Sequence, residues 1–159
     1  MRTVLILQAR TGSVRFPKKI FSKIGKRTLL EIEILRLKKI KLVDKIVIAT
    51  TNKKEDKKIC DIASKLKVDF FQGDENNVLK RYYDAAKKFN AHIILRVTGD
   101  CPLIDFKIIT KNLKKFKISK YDYLSNTINP TYPDGLDFEI FSFKTLSKAF
   151  KLAKNDFDK

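Results

Sequence analysis

Four short, largely apolar runs constrain this chain more than any other feature. They are residues 3–8 (TVLILQ), 45–50 (KIVIAT), 68–72 (VDFFQ) and 92–98 (HIILRVT). A strand with apolar residues on both faces has no side suited to water. It belongs in a sheet covered on both sides, and parallel sheets are the ones so covered. Between the runs the apolar spacing becomes helical. Leu30, Ile34 and Leu37 fall at i, i+4, i+7; Ile59, Ile62, Ala63 and Leu66 form a second stripe; Val78, Tyr82, Ala85, Ala86 and Phe89 form a third. After the fourth run come Phe106, Ile109, Leu113 and Phe116, with Asp105 placed to cap. A last stripe, Phe143, Leu146, Ala149, Phe150 and Ala153, follows a short strand predicted over residues 137–141 and is capped by Ser142. The order β-α-β-α-β-α-β-α predicts a doubly wound α/β sheet with right-handed crossovers. Residues 119–135, with Pro130 and Pro133, read as irregular. No internal repeat or linker divides the chain, so residues 1–159 are expected to form one domain.

In open α/β sheets, ligands bind beyond the carboxyl ends of the strands. That rule selects four polar segments. The first is Gln8-Ala9-Arg10-Thr11-Gly12-Ser13-Val14-Arg15-Phe16-Pro17-Lys18-Lys19, which is long for a connection of its kind. Gly12 permits close backbone approach, Ser13 supplies a hydroxyl, and Arg10, Arg15 and Lys19 supply positive charge. Backbone amides with Arg and Lys are what a polyphosphate requires. The segment is neither a G-x-G-x-x-G dinucleotide fingerprint nor a Walker A loop. On spacing alone it reads equally as a solvated loop with scattered charge. The other three segments are Thr50-Thr51-Asn52, Gly73-Asp74-Glu75-Asn76-Asn77 and Thr98-Gly99-Asp100-Cys101-Pro102. In the last, Asp100 is either a magnesium ligand, since Mg²⁺ is held by one or two carboxylates plus substrate phosphates, or the cap of a turn before Pro102.

Composition narrows the classes. The 159 residues carry a net charge of +17, from 28 Lys and 7 Arg against 18 acidic residues. The lysines are spread along the chain rather than gathered on one face with interleaved aromatics, so a nucleic-acid partner is not favoured. Attraction of a phosphate-rich small molecule fits equally well. The apolar runs reach four residues, as in 4–7, far short of the roughly 20 that span a bilayer. No membrane partner is expected. Cys60 and Cys101 are too few for a disulfide scaffold, and with a single histidine, His92, a zinc site is not expected. A reducing cytoplasm is the default location. Cys60, Cys101, Tyr82 and Tyr83 read as packing residues, and His92 as structural.

The motif Gln8-Ala9-Arg10-x-Gly12-Ser13-x-Arg15-x-Pro17-x-Lys19 resembles the opening signature of sugar-acid cytidylyltransferases. Thr98-Gly99-Asp100-Cys101-Pro102-Leu103-Ile104-Asp105 resembles their second signature. Gly73 through Val78-Leu79-x-Arg81-Tyr82-Tyr83, and Ser125-Asn126 through Tyr132-Pro133-Asp134-Gly135-Leu136-Asp137-x-Glu139, are similar to the branch typified by the spore coat polysaccharide biosynthesis protein F. The resemblance implies a three-layer α/β/α nucleotide-diphosphosugar transferase fold, Rossmann-like and mostly parallel. It implies transfer of CMP from CTP to a sugar acid, with release of pyrophosphate and with Mg²⁺, for surface polysaccharide synthesis.

Carried over by motif, Arg10 and Lys19 hold the triphosphate and stabilise the leaving pyrophosphate, and Asp100 binds the metal; these three are the expected catalytic residues. Ala9, Arg10, Gly12, Ser13, Arg15, Lys19, Thr51, Asp74, Thr98 and Gly99 surround the nucleotide. Asn126, Tyr132, Asp134, Gly135, Asp137 and Glu139 face the acceptor. The chain departs from the pattern at Lys18, where a glycine is usual, and at Asn77, where an aspartate is frequent. It also ends before the segment that in relatives carries a further acidic metal ligand and, in several, dimer contacts. The expectation is therefore a C-terminally shortened domain whose homodimer is an open question. The alternatives are an inactive nucleotide-binding homologue and, from the charge alone, a basic nucleic-acid-binding protein. Octulosonate, neuraminate, legionaminate and pseudaminate all remain candidate acceptors.

Overall fold

A computed structural model of the chain describes residues 1–12 and 16–154. Its strands are β1 (Thr3–Gln8), β2 (Lys23–Ile24), β3 (Arg27–Thr28), β4 (Lys45–Thr51), β5 (Asp69–Gly73), β6 (Ile93–Thr98), β7 (Tyr123–Ser125) and β8 (Glu139–Ser142). Its helices are α1 (Leu29–Leu37), α2 (Lys57–Lys65), α3 (Val78–Lys88), α4 (Phe106–Ile118) and α5 (Phe143–Leu152). Six strands form one sheet in the order β5-β4-β1-β6-β8-β7. The first four are parallel; β8 runs antiparallel to both β6 and β7.

Alternation along β1 builds two cores. Leu5 and Leu7 point to one face, where Leu30, Ile34, Ile59, Ile109 and Leu113 of α1, α2 and α4 cover them. Val4 and Ile6 point to the other, against Tyr82, Ala85 and Leu146 of α3 and α5. This is the expected three-layer α/β/α sandwich. After β5 the chain crosses back over β1 to form β6, and the connecting helix α3 lies on the face opposite α1 and α2. Reversal of direction with constant crossover hand requires that change of face. The reversal creates a crevice between the carboxyl ends of β1 and β6, the switch point at which such sheets bind ligands.

The helix starts follow the sequence. Asp105 accepts from the amides of Lys107 and Ile108, and Ser142 from that of Thr145. Asn77 caps α3 through the Lys80 amide, a service that an aspartate would also perform. Thr28 and Glu31 form a capping box at α1.

The β2–β3 hairpin is not expected from the sequence, and two features near the end of the chain also differ from the expectation. Residues 119–135 contain β7, a three-residue strand whose Tyr123 is exposed, too short to show alternation. The last strand starts at Glu139 rather than 137, because Asp137 belongs to the preceding loop.

Lys18 adopts φ 58°, ψ 20°, the left-handed conformation that glycine enters without steric cost. Its amide donates to the Thr11 carbonyl at 3.2 Å, closing the first loop. The loop therefore holds this geometry despite the departure from glycine. Replacing Lys18 with glycine removes the strain, and thermal unfolding is expected to show stability raised by about 0.5–1 kcal/mol.

Candidate active site

The crevice is closed at its base by backbone. The Gly99 amide donates to the Gln8 carbonyl at 2.7 Å, tying the end of β6 to the end of β1. A Cβ at position 99 would stand 2.9 Å from the Ala9 Cβ and 3.0 Å from the Gln8 carbonyl oxygen, so only glycine fits. The next residue, Asp100, meets Lys19 from the first loop, with Nζ 2.7 Å from Oδ2. Burial raises the Asp100 pKa, but the hydrogen bond and charge of Lys19 outweigh it, and the carboxyl is held below the ordinary range. It is an ionised, half-exposed carboxylate at the switch point.

Behind it lies Glu33, fully buried on the inner stripe of α1. One oxygen accepts from the Cys101 amide at 3.2 Å, fixing the turn that carries Asp100; the other has no protein partner. Burial first, and the Asp100 charge after it, push the Glu33 carboxyl well above its usual range. The Cys101 thiol is pushed up to about 11, chiefly by burial, which leaves it protonated and makes it a poor nucleophile.

The first loop is anchored from the opposite side by Asp56, only 1% exposed. Its Oδ1 accepts from the Thr11 amide at 2.8 Å and the Thr11 hydroxyl at 2.6 Å; its Oδ2 accepts from the Thr51 hydroxyl. Thr51, predicted at the nucleotide, thus orients the anchor of the loop. Burial raises the Asp56 pKa, but the Thr11 and Thr51 hydrogen bonds together lower it more.

The third segment wraps the same end of the sheet. Arg81, 1% exposed, donates to the Asp74 carbonyl and, at 3.4 Å, to that of Glu75. The Asp74 side chain accepts from the amides of Asn76 and Asn77, which makes it the hub of the turn. Glu75 reaches toward the first loop. It lies 2.6 Å from Lys53 Nζ and 3.9 Å from Arg10, and its Oε1 is 3.3 Å from where a Gly12 Cβ would stand. Thr98 contacts the Cys101 sulfur at 3.5 Å.

The structure thus brings Ala9, Arg10, Gly12, Lys19, Thr51, Asp74, Thr98, Gly99 and Asp100 to one end of the sheet. Ser13 and Arg15 lie outside the described residues. Reading the sequence missed Asp56, Glu33, Glu75 and Lys53. Of these, Glu75 stands within the third strand-end segment with no role assigned, and Glu33 leaves a signal as an acid on the apolar stripe of Leu30, Ile34 and Leu37.

The predicted acceptor residues do not stay together. The Asn126 side chain bonds the backbone at Leu136 and Phe138, at 2.9 Å each, and so clamps the loop between them. Asn126 and Tyr132 line a broad groove of about 1170 Å³ beside α4, among Lys39, Lys107, Lys111 and Lys115. None of the crevice residues lines that groove. Glu139 instead pairs with Arg96 and lines a separate cavity between α3 and α5. Asp134 is exposed, Gly135 takes φ +89° at the loop tip, and Asp137 is half-buried.

His92, at the amino end of β6, accepts from the Arg2 amide at 3.2 Å, a structural contact away from the crevice. Among the described residues, no group of three or more His, Cys, Asp or Glu side chains forms a metal cage. No helix there is long and apolar enough to cross a membrane.

The crevice at the switch point thus holds a Lys–Asp pair with Arg10 beside it on the first loop. The family model described as cytidylyltransferase matches residues 4–158, and the chain belongs to that family. A structure of a cytidylyltransferase from Leptospira borgpetersenii serovar Hardjo-bovis superposes with a TM-score of 0.96 at 38% identity, covering 99% of this chain and 67% of that one. MJ1063 of Methanocaldococcus jannaschii is 42% identical over all 159 residues, which are 64% of its own length. The spore coat polysaccharide biosynthesis protein SpsF of Bacillus subtilis is 30% identical over 77% of this chain and 54% of its own. The chain therefore spans just under two thirds of the first of these curated relatives and about half of the second.

Proposed function

We propose that the chain binds CTP in the β1–β6 crevice and transfers CMP to a sugar acid, releasing pyrophosphate. The observation that carries this reading is the Lys19–Asp100 pair, set at the switch point where Gly99 lies against Ala9 and Gln8. The family membership and the two signature motifs support it.

The acceptor hydroxyl oxygen attacks the α-phosphorus in line. A new P–O bond forms, the bond to the β-phosphate oxygen breaks, and pyrophosphate departs with the electron pair; the hydroxyl proton passes to solvent. In such transfers the protein chiefly orients the groups and neutralises charge. Arg10 and Lys19 serve the leaving phosphates, and the Thr11–Gly12 backbone, held by Asp56, approaches the nucleotide closely. Ser13 and Arg15 belong to the same loop. Asp74, Thr51, Thr98 and Gly99 shape the walls. The ionised, half-exposed Asp100 suits Mg²⁺, which needs as little as one protein carboxylate when phosphates supply further ligands. When bound there, the metal would neutralise phosphate charge. The test is pyrophosphate release by purified protein. It should require CTP, Mg²⁺ and a sugar acid together, and release without the acid would contradict the transfer.

Glu75 occupies the side of Arg10 and Lys53 that an anionic ligand would take. Glu75→Gln removes the competing charge. It is expected to tighten CTP binding about three- to tenfold in calorimetry, the size of one partly exposed charge contact. Weaker binding would mean that Glu75 contacts the ligand instead.

A further inference from the structure

The sequence spreads its lysines along the chain, but folding gathers six of them around one groove. The groove, of about 1170 Å³, runs beside α4 and is lined by Lys39, Lys41, Lys107, Lys111, Lys114 and Lys115. The four on α4 fall at i, i+4, i+7 and i+8, an exposed stripe opposite Ile109, Leu113 and Phe116, which face the core. They extend about 12 Å along the helix. Lys39 and Lys41 reach the same groove from the turn after α1. No carboxylate lines it. Among the described residues there are seven ion pairs, and none includes any of these six lysines. Elsewhere on the surface Lys45, Lys53, Lys65 and Lys80 each have an acidic partner. Like charges at i, i+4 destabilise a helix, so helical stability does not account for the stripe. Two of the six rest on rings, Lys39 over Phe106 and Lys115 over Tyr121, at 5.3 and 5.6 Å from the centroids. These contacts hold the ammonium groups in place without neutralising them. Tyr132, 42% exposed, also lines the groove.

We propose that this groove holds a single strand of nucleic acid by its phosphate backbone, at a second site separate from the β1–β6 crevice and independent of the nucleotidyl-transfer reading. Six ammonium groups without an acidic partner, converging on one concavity, match a polyanion. Lysine is a compact point charge, suited to phosphate oxygens rather than to bidentate pairing. A positively charged groove with an aromatic ring on its wall is the arrangement that tracks a single strand. The lysines meet successive phosphates, and the Tyr132 ring takes a base against its face. A lipid surface is flat and would touch only the rims of a concave site.

The test is fluorescence anisotropy of a labelled single-stranded RNA of about 12 nucleotides, within the length that one such groove covers. Four to six phosphate contacts give log K against log salt a slope of about −3 to −4, so affinity is expected to fall about a hundredfold between 50 and 200 mM salt. Lys111→Glu with Lys115→Glu should weaken binding by about tenfold or more and reduce the slope by about 1.4, the share of two contacts. Lys144→Glu with Lys148→Glu makes the same charge change at exposed positions of α5, across the sheet, and should weaken binding by about threefold at most. Tyr132→Ala should weaken binding about fivefold with the slope unchanged, since it removes stacking and no charge. Equal losses in the two double variants would show that overall charge, not the groove, attracts the strand, and would overturn the proposal. Displacement of the RNA by CTP would place the strand in the crevice and overturn it as well. Cosedimentation with vesicles of anionic lipid, abolished by Lys111→Glu with Lys115→Glu while no RNA is held, would make the groove a membrane face instead.

Discussion

Asp100→Asn is expected to lower CTP-dependent pyrophosphate release by about a thousandfold, the scale on which removal of a preorganised charged group acts in transfer reactions. The substitution is nearly isosteric. The side-chain oxygen still accepts from Lys19, and the Gly99–Gln8 backbone bond is untouched, so the crevice keeps its shape. What disappears is the negative charge that Lys19 holds ionised at the strand end. The cost should therefore fall on kcat and on the magnesium requirement. Binding of CTP measured without divalent metal should change little, or tighten slightly as Lys19 is released from its ion pair. A loss of less than about tenfold would remove Asp100 from the machinery.

Asp56→Ala is expected to have the largest effect on stability, a loss of about 3 kcal/mol by thermal or urea unfolding. It strands the Thr11 amide, the Thr11 hydroxyl and the Thr51 hydroxyl in a site from which water is excluded, and each orphaned group costs on the order of 1 kcal/mol or more. CTP affinity should fall with it, because Thr11 leads directly into Gly12. The pH dependence separates this from mere loss of packing. The Asp56 pKa is lower in the folded chain than its ordinary value of 3.8. Its ionised form therefore contributes stability fully above that value, and the contribution is lost as pH falls through the lower, folded value. The difference between wild type and Asp56→Ala should be constant near neutrality and shrink below about pH 4. A difference that persists unchanged to the acid limit would mean that charge plays no part in the anchor.

These two residues illustrate what is legible in a sequence. Asp100 is visible because it ends an apolar strand after a glycine, and strand ends at a switch point are where ligands gather. Asp56 is not visible. It stands in the run Lys54-Glu55-Asp56-Lys57-Lys58, which reads as a solvated charged turn. Only the arrival of Thr11, 45 residues away, buries it. The pairing of Glu75, though its segment is picked out by the strand-end rule, is hidden for the same reason, since its partners Arg10 and Lys53 come from two other loops.

The core strands β1, β4, β5 and β6, and all five helices, follow from period and capping, with ends within a residue or two. The two-residue β2 and β3 and the three-residue β7 escape because their pairing, not their composition, makes them strands. The acceptor motif was legible as a motif, but its geometry was not. Tyr132 and Glu139 stand seven residues apart on an irregular path, and the intervening loop carries them to different hollows.

The most direct test of the central claim is a calorimetric titration of the purified chain with CTP in Mg²⁺, with UTP as control. Saturable binding of CTP, weaker for UTP and lost with Gly99→Val, which forces the ends of β1 and β6 apart, is the predicted result. No binding of either nucleotide, or binding that Gly99→Val leaves intact, would contradict the assignment of the crevice as the nucleotide site.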